Sequence, residues 1–348
     1  MASAVGKFGT IAPIVGPISA AAIAYAGHRA MQVNWKAWLT NFLTGPGRTS
    51  RILLVIFIAL NWKSMPLAWT VRVFHAFIYH VLRRPRQLPQ RALFHYSVTS
   101  SRTSLLETDY NMHKSNSTYF ADLDVSRSHL VTHILGPAVP LLSDNARTRL
   151  VLDRDGNLIK GAFGIGLGAV FCSFRREIAP LQGYEMWSRV LAWDRKWLYL
   201  VTHFVVKGKV RPTGWDGKRM GPTRSRVVKT TDGKEAEEED WSKYIFATAI
   251  SKYVFKLGRF TVHPAIAIQA AGLLPERPGE GWRGGESETG TPDEIGEEVD
   301  EEGEWDWRRV ELERRKGMEF AAQFNALDGT NALFDGGEDG AVGRFPLG

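Results

Sequence analysis

Residues 107–119 read Glu-Thr-Asp-Tyr-Asn-Met-His-Lys-Ser-Asn-Ser-Thr-Tyr, and their reading decides the fold. Asp109 stands in a polar loop, Ser115 to Thr118 carry a helix-start signal, and an amphipathic segment follows to about Leu135. Phe120, Leu123, Leu130, Val131 and Ile134 fall on one face of that helix, and Gly136-Pro137 stops it. A carboxylate ahead of a helix start suits chemistry on a carbonyl. The acid serves as base or nucleophile, and the unpaired first N–H groups of the helix receive an oxyanion. The same pattern also describes a solvated loop with an N-cap, so the flanking segments must decide.

Those segments are rich in strands. Arg91 to Ser101 alternates loosely, and residues 162–174 form an apolar run punctuated by Gly164, Gly166 and Gly168. No Lys-Ser/Thr pair follows those glycines, so a nucleotide loop is not indicated. At period two they share one strand face, where a helix or ligand can come close. Gly183 to Trp193 and Trp197 to Lys207, separated by Asp194-Arg-Lys, predict a hairpin. Tyr244 to Val262 is again β-rich. One long helix among antiparallel strands predicts an α+β layout with the sheet wrapped around the helix.

Charge is unevenly distributed. The chain has 348 residues and a formal net charge of +7, yet no Asp or Glu precedes Glu107, while twelve Lys/Arg do. A basic first part with apolar runs favours a membrane over nucleic acid, and no zinc-finger, RNA-recognition or basic-zipper pattern is present. Residues 10–26 are apolar but broken by proline and glycine. Ile52 to Leu60 is uninterrupted, and a full span would need to continue past Lys63, placed to snorkel, to Trp69. Val71 to Leu82 has helical spacing and ends at Arg83-Arg-Pro-Arg86, a basic stop that places the remainder on the cytosolic side. Residues 1–88 are therefore read as a membrane-anchor region with N-terminal membrane-associated helices. Residues 89–275 form the main domain with a polar insertion at 208–242, 276–304 an acidic disordered segment, and 305–348 a helix and tail. The single cysteine, Cys172, excludes an internal disulfide and reads as a packed core thiol.

With these segments placed, a family resemblance becomes visible. Asp109-Tyr-Asn-Met-His113-Lys-Ser-Asn116-Ser-Thr-Tyr119 resembles the Asp-x-x-x-His-Met-Asn-Asn-x-x-Tyr signature of hot-dog-fold thioesterases. The likeness is strongest to membrane-anchored, thioesterase-like proteins of animals and fungi. Leu191-Ala-Trp-Asp-Arg-Lys-Trp-Leu-Tyr199 and Ala249 to Arg259 are similar to that group's hairpin and last core strand, so the resemblance covers roughly residues 90–265. It implies a hot-dog fold and hydrolysis of acyl-CoA or carrier-bound acyl thioesters without metal or cofactor. Asp109 would be the catalytic carboxylate, the Asn116 backbone would polarise the carbonyl, and His113 would support the loop. Lys114, Tyr119 and Gly166 would meet substrate. Lys114 departs from the family pattern and is placed either on a phosphate or in solvent. Asp122 is a reserve carboxylate. The resemblance further implies a homodimer with its sites at the subunit interface.

Other chemistries fit less well. His129 and His133 are four apart, but the interior Leu-Val-Thr lacks the glutamate of His-Glu-x-x-His. Ser128 lacks a Gly-x-Ser-x-Gly frame. The alternative is a non-catalytic hot-dog protein that binds acyl lipid or a partner at a membrane. The expected location is the cytosolic side of the endoplasmic reticulum, with a mitochondrial membrane also open.

Overall fold

The computed structural model describes residues 31–83, 88–212, 241–278 and 305–334, with the short pieces 25, 27–29, 214 and 281–283. The readings of 10–24, of most of the 208–242 insertion, of most of 276–304 and of the tail beyond 334 lie outside the described residues, as does the Arg84-Pro85-Arg86 stop.

The sheet follows the alternation seen in the sequence. Its strands are β1 (Ser97–Arg102), β2 (Phe163–Phe174), β3 (Gly183–Trp193), β4 (Trp197–Val206), β5 (Ile245–Leu257) and the short β6 (Phe260–Val262). They run antiparallel in the order β1-β3-β4-β5-β2, with β6 beside β5. The β3–β4 turn is held by Asp194, whose Oδ1 accepts from the backbone N–H of Lys196 at 2.7 Å and Trp197 at 2.6 Å. The central helix spans Thr118–Leu135. The α+β layout expected from the sequence is the one found.

Helices cover both sheet faces. Numbered in chain order they are α1 (Trp35–Thr44), α2 (Arg48–Asn61), α3 (Ala68–Arg83), the central helix α4, α5 (Ala138–Ser143), α6 (Asn145–Thr148), α7 (Pro264–Ala270) and α8 (Trp307–Ala326). Leu130 and Ile134 of α4 pack with Leu198 and Leu200 of β4. The intervening Tyr199 and Val201 pack with Ala321 and Phe324 of α8. Alternating side chains point to opposite sheet faces, so α4 and α8 sandwich the sheet. Gly317 permits the α8 contact: a Cβ there would lie 1.9 Å from the Leu191 carbonyl oxygen.

Contacts also cross the expected boundary at residue 88. Helix α3 packs along α4, where His80 Nε2 lies 3.0 Å from His129 Nδ1 and His80 Nδ1 3.2 Å from His133 Nδ1. Asn61 is wholly buried, and its Oδ1 accepts from the Leu106 amide at 2.8 Å. By contrast α2 leaves Leu53 to Ile58 exposed, and Trp35, Trp38 and Leu39 of α1 are exposed as well. Among the described residues no single helix is long and apolar enough to cross a membrane. Trp35–Thr44 and Arg48–Ser64 reach that length and composition only together, across a bend of 102°.

Candidate active site

The loop before α4 is closed on itself. Asp109 N–H donates to the His113 carbonyl at 2.9 Å, Ser115 N–H to the Glu107 carbonyl at 2.7 Å, and Thr108 and Lys114 form an isolated antiparallel bridge. Met112 takes a positive φ of 60° at the loop tip. Ser104 and Glu107 form a capping box over the preceding turn, which fixes where the loop departs. Lys114 N–H reaches the Ile178 carbonyl at 2.8 Å, tying the loop to the β2–β3 connection.

Within this frame Asp109 is partly exposed. Its Oδ1 accepts from the Asn111 amide at 2.9 Å and lies 3.5 Å from that of His113. These contacts set the carboxylate's direction and leave Oδ2 without a partner among the described residues. Asn116 and Ser117 are exposed. No acceptor among the described residues meets their backbone N–H groups, while the next two amides, of Thr118 and Tyr119, bond back to Ser115 and Asn116. The helix start therefore presents two unsatisfied donors to solvent, the arrangement an oxyanion requires. His113 directs its ring elsewhere, with Nε2 at 2.9 Å from Glu177 Oε2. It touches Asp109 through its backbone only.

The other candidates are placed differently. Lys114 sits neither in solvent nor open to a phosphate. Its side chain is fully buried, with Nζ 2.9 Å from Asp122 Oδ2, as an ion pair without hydrogen-bond alignment. Asp122 is also fully buried, at 3.0 Å from Lys63 Nζ and 2.8 Å from Arg72 Nη2, and it accepts from the Tyr184 hydroxyl. Burial alone would push its carboxyl up. Lys114, Lys63 and Arg72, with the Tyr184 hydroxyl, overcome that and hold it well below the usual carboxylate range. A carboxylate so held is a poor proton acceptor, and no solvent reaches it. Lys63, expected to snorkel at a membrane surface, instead points into this cluster, 2.7 Å from Glu107 Oε2. Three cations here face two acids.

Tyr119 is 2% exposed and packs edge-on against Phe174 and tilted against Phe204. Burial pushes its hydroxyl pKa up. It shapes the core behind the loop rather than an accessible surface. Gly166 makes only ordinary contact, since a Cβ there would meet Val254 Cγ1 at 3.5 Å. The demanding glycine is Gly168, at the bulge in β2, where a Cβ would lie 2.4 Å from the Trp197 ring. A protein side chain, not a ligand, makes the close approach. Cys172 is half-buried against the Tyr119 cluster, and burial pushes its thiol up to about 11.

Periodicity missed the polar members of the α4 core. Ser126 and Arg127 are buried with Asp122 on the helix, and Arg127 bonds Ser251 of β5 at 2.7 Å and pairs with Asp124. The available signal was the Asp-Leu-Asp-Val-Ser-Arg run itself, too polar for a helix with only one wet face.

Comparison with known proteins places this loop in context. A sequence model described as the thioesterase-like superfamily matches residues 104–231. The chain is 37% identical over 293 residues to thioesterase poxG of Penicillium oxalicum, covering 82% of this chain and 86% of that one. It is 33% identical over 320 residues to "Probable thioesterase atnL" of Emericella nidulans, covering 88% and 93%. It is 32% identical over 301 residues to thioesterase lcsJ of Purpureocillium lilacinum, covering 76% and 86%.

Proposed function

We propose, from the premise that this chain belongs to the thioesterase-like superfamily, that it hydrolyses acyl thioesters at the Glu107–Thr118 loop. The observation that carries this site is the pairing of a partly exposed Asp109, aimed by loop amides, with the unsatisfied N–H groups of Asn116 and Ser117. Asp109 removes a proton from water, and the resulting hydroxide attacks the thioester carbonyl. The carbonyl oxygen becomes an oxyanion held by the helix-start amides. Collapse breaks the C–S bond, the thiolate takes up a proton, and a carboxylic acid and a thiol are released. General-base assistance contributes about 10²–10⁴-fold, and one oxyanion donor roughly 3–4 kcal/mol. These contributions come from the chain's own groups.

The substrate is an acyl-CoA or a carrier-bound acyl group. A panel of acyl-CoAs and acyl-pantetheines offered to the purified full chain, with thiol release followed by a chromogenic disulfide, tests the activity. Release with at least one of them is expected, and none across all chain lengths would overturn the reading.

We further infer a homodimer and a membrane-associated N-terminal region. Strand β2 lies at a sheet edge, and Ile165, Leu167 and Phe171 are exposed on it. A long apolar edge with unpaired backbone groups is a template for another strand, which supports pairing through a second copy. The exposed Leu53–Ile58 of α2 and the tryptophans of α1 support insertion of this bent pair into a bilayer. The endoplasmic reticulum membrane, with the domain in the cytosol, suits the acid-free basic first part, and a mitochondrial membrane suits it too.

A further inference from the structure

We propose that the cavity between the α2–α3 corner and β1 binds the phosphate of an anionic phospholipid. The cavity has a volume of about 350 Å³, and no residue of the Glu107–Thr118 loop lines it. Lys63, Arg72 and Arg102 line it together with Ser101 and Ser104, and no acidic residue does. Behind it, Lys63, Arg72 and Lys114 share only Asp122 and Glu107, so the buried cluster keeps one positive charge in excess. Arg102 is exposed on β1, and no ion pair holds it among the described residues. It adds a second uncompensated charge at the rim. Thr103, wholly buried with its hydroxyl unpaired, borders the same space.

Uncompensated charge beside a desolvated cluster is costly, and an anion seated there offsets it. Guanidinium forks match phosphate oxygens, and hydroxyl donors complete the shell. The apolar part of the lining identifies the source of the phosphate. It is formed by Ala59, Leu60 and Trp62, and the last two are 36% and 56% exposed. They continue the apolar surface of Leu53–Ile58 on α2. A lining that joins cations and hydroxyls to apolar side chains fits a headgroup phosphate whose acyl chains lie along α2. A free phosphate would use only half of this lining.

The test titrates the full chain in neutral detergent with short-chain phosphatidic acid, phosphatidylcholine of equal chain length, and inorganic phosphate. Phosphatidic acid is expected to bind about tenfold more tightly than either of the others, and Arg102→Glu to lose about tenfold of that affinity, as removal of one charge-assisted contact predicts. Arg102→Gln should lose less than Arg102→Glu. Arg154→Glu, the same charge change at an exposed site away from the cavity, should bind as wild type. Equal affinity in Arg102→Glu, or an equal loss in Arg154→Glu, overturns the site. Inorganic phosphate binding as tightly as phosphatidic acid overturns the lipid. Thioester hydrolysis by Arg102→Glu is expected to be unchanged, so the site and the activity are tested separately.

Discussion

Lys63 Nζ lies 3.0 Å from Asp122 Oδ2, with both side chains nearly or fully buried, and this contact joins the N-terminal helices to the central helix. The joined segments are 59 residues apart in sequence. Arg72, Asn61 and Ser64 add further links across the same seam, Ser64 through a 2.6 Å contact with the Ser104 hydroxyl. The apolar N-terminal helices are thus wired into the catalytic domain.

Removing Lys63 takes the 2.7 Å partner from Glu107 and leaves it Lys114 at 3.4 Å, while Asp122 keeps Lys114 and Arg72. Lys63→Met is expected to destabilise the protein by about 1–3 kcal/mol, the cost of a buried acceptor losing its nearest partner. Asp122→Asn should cost less in Lys63→Met than it costs in the wild type, because the two residues share one contact. Urea unfolding of the four proteins, in detergent, measures the coupling. Deleting the chain up to Ser64 should yield an unstable domain, not a well-folded soluble enzyme.

Much of the fold was legible before the structure. The β3–β4 hairpin was visible because Asp194-Arg-Lys is turn chemistry between two β-branched, aromatic-rich runs, and the ends of α4 followed from Ser115 to Thr118 and Gly136-Pro137. The Lys63–Asp122 pair was not legible. A lysine after an apolar run reads as an interface residue, and only tertiary folding brings its partner near. The same reason hid Lys114, which looked like a loop cation. Tyr119 was singled out by motif position, Asp122 by its place in the first turns of α4, and Gly166 by its period-two spacing in a strand. The burial of Tyr119 and Asp122 depends on which face of α4 turns inward.

Gly317 offers a test of the α8 cover. Gly317→Ala places a methyl group against the Leu191 carbonyl and must displace the helix. Overpacking of this kind typically costs about 1–3 kcal/mol. A lower Tm with activity retained at low temperature is expected. An unchanged Tm would mean that α8 does not sit on the sheet in solution.

Histidines set the acid limit of the α3–α4 seam. Burial first, then His75, Arg72 and His133, push the His129 pKa down to about 4 from 6.5. The unfolded chain binds this proton in the window from about 6.5 down to about 4 while the folded protein does not, so stability falls as pH falls through it. His203, pushed down to about 4 by burial and then by Arg189, adds the same sign. His129→Gln should flatten the slope of stability against pH in that window, read by urea titrations at several pH values.

Edge pairing through β2 is open to a direct trial. Leu167→Lys places a charge on the exposed edge, and edge charges oppose strand addition. Analytical ultracentrifugation should show the proposed wild-type dimer, and its weakening or loss in Leu167→Lys, whereas an unchanged dimer would remove β2 from the interface.

The central claim is that Asp109 activates water for thioester hydrolysis. The measurement is kcat/KM of Asp109→Asn against wild type on the best acyl thioester substrate, with folding checked by Tm. The substitution keeps an oxygen acceptor for the Asn111 amide, so the loop should hold its shape. A fall of about 10²–10⁴-fold with Tm maintained is predicted, the range of a lost general base. Wild-type activity in Asp109→Asn would contradict the account and move the catalytic carboxylate elsewhere.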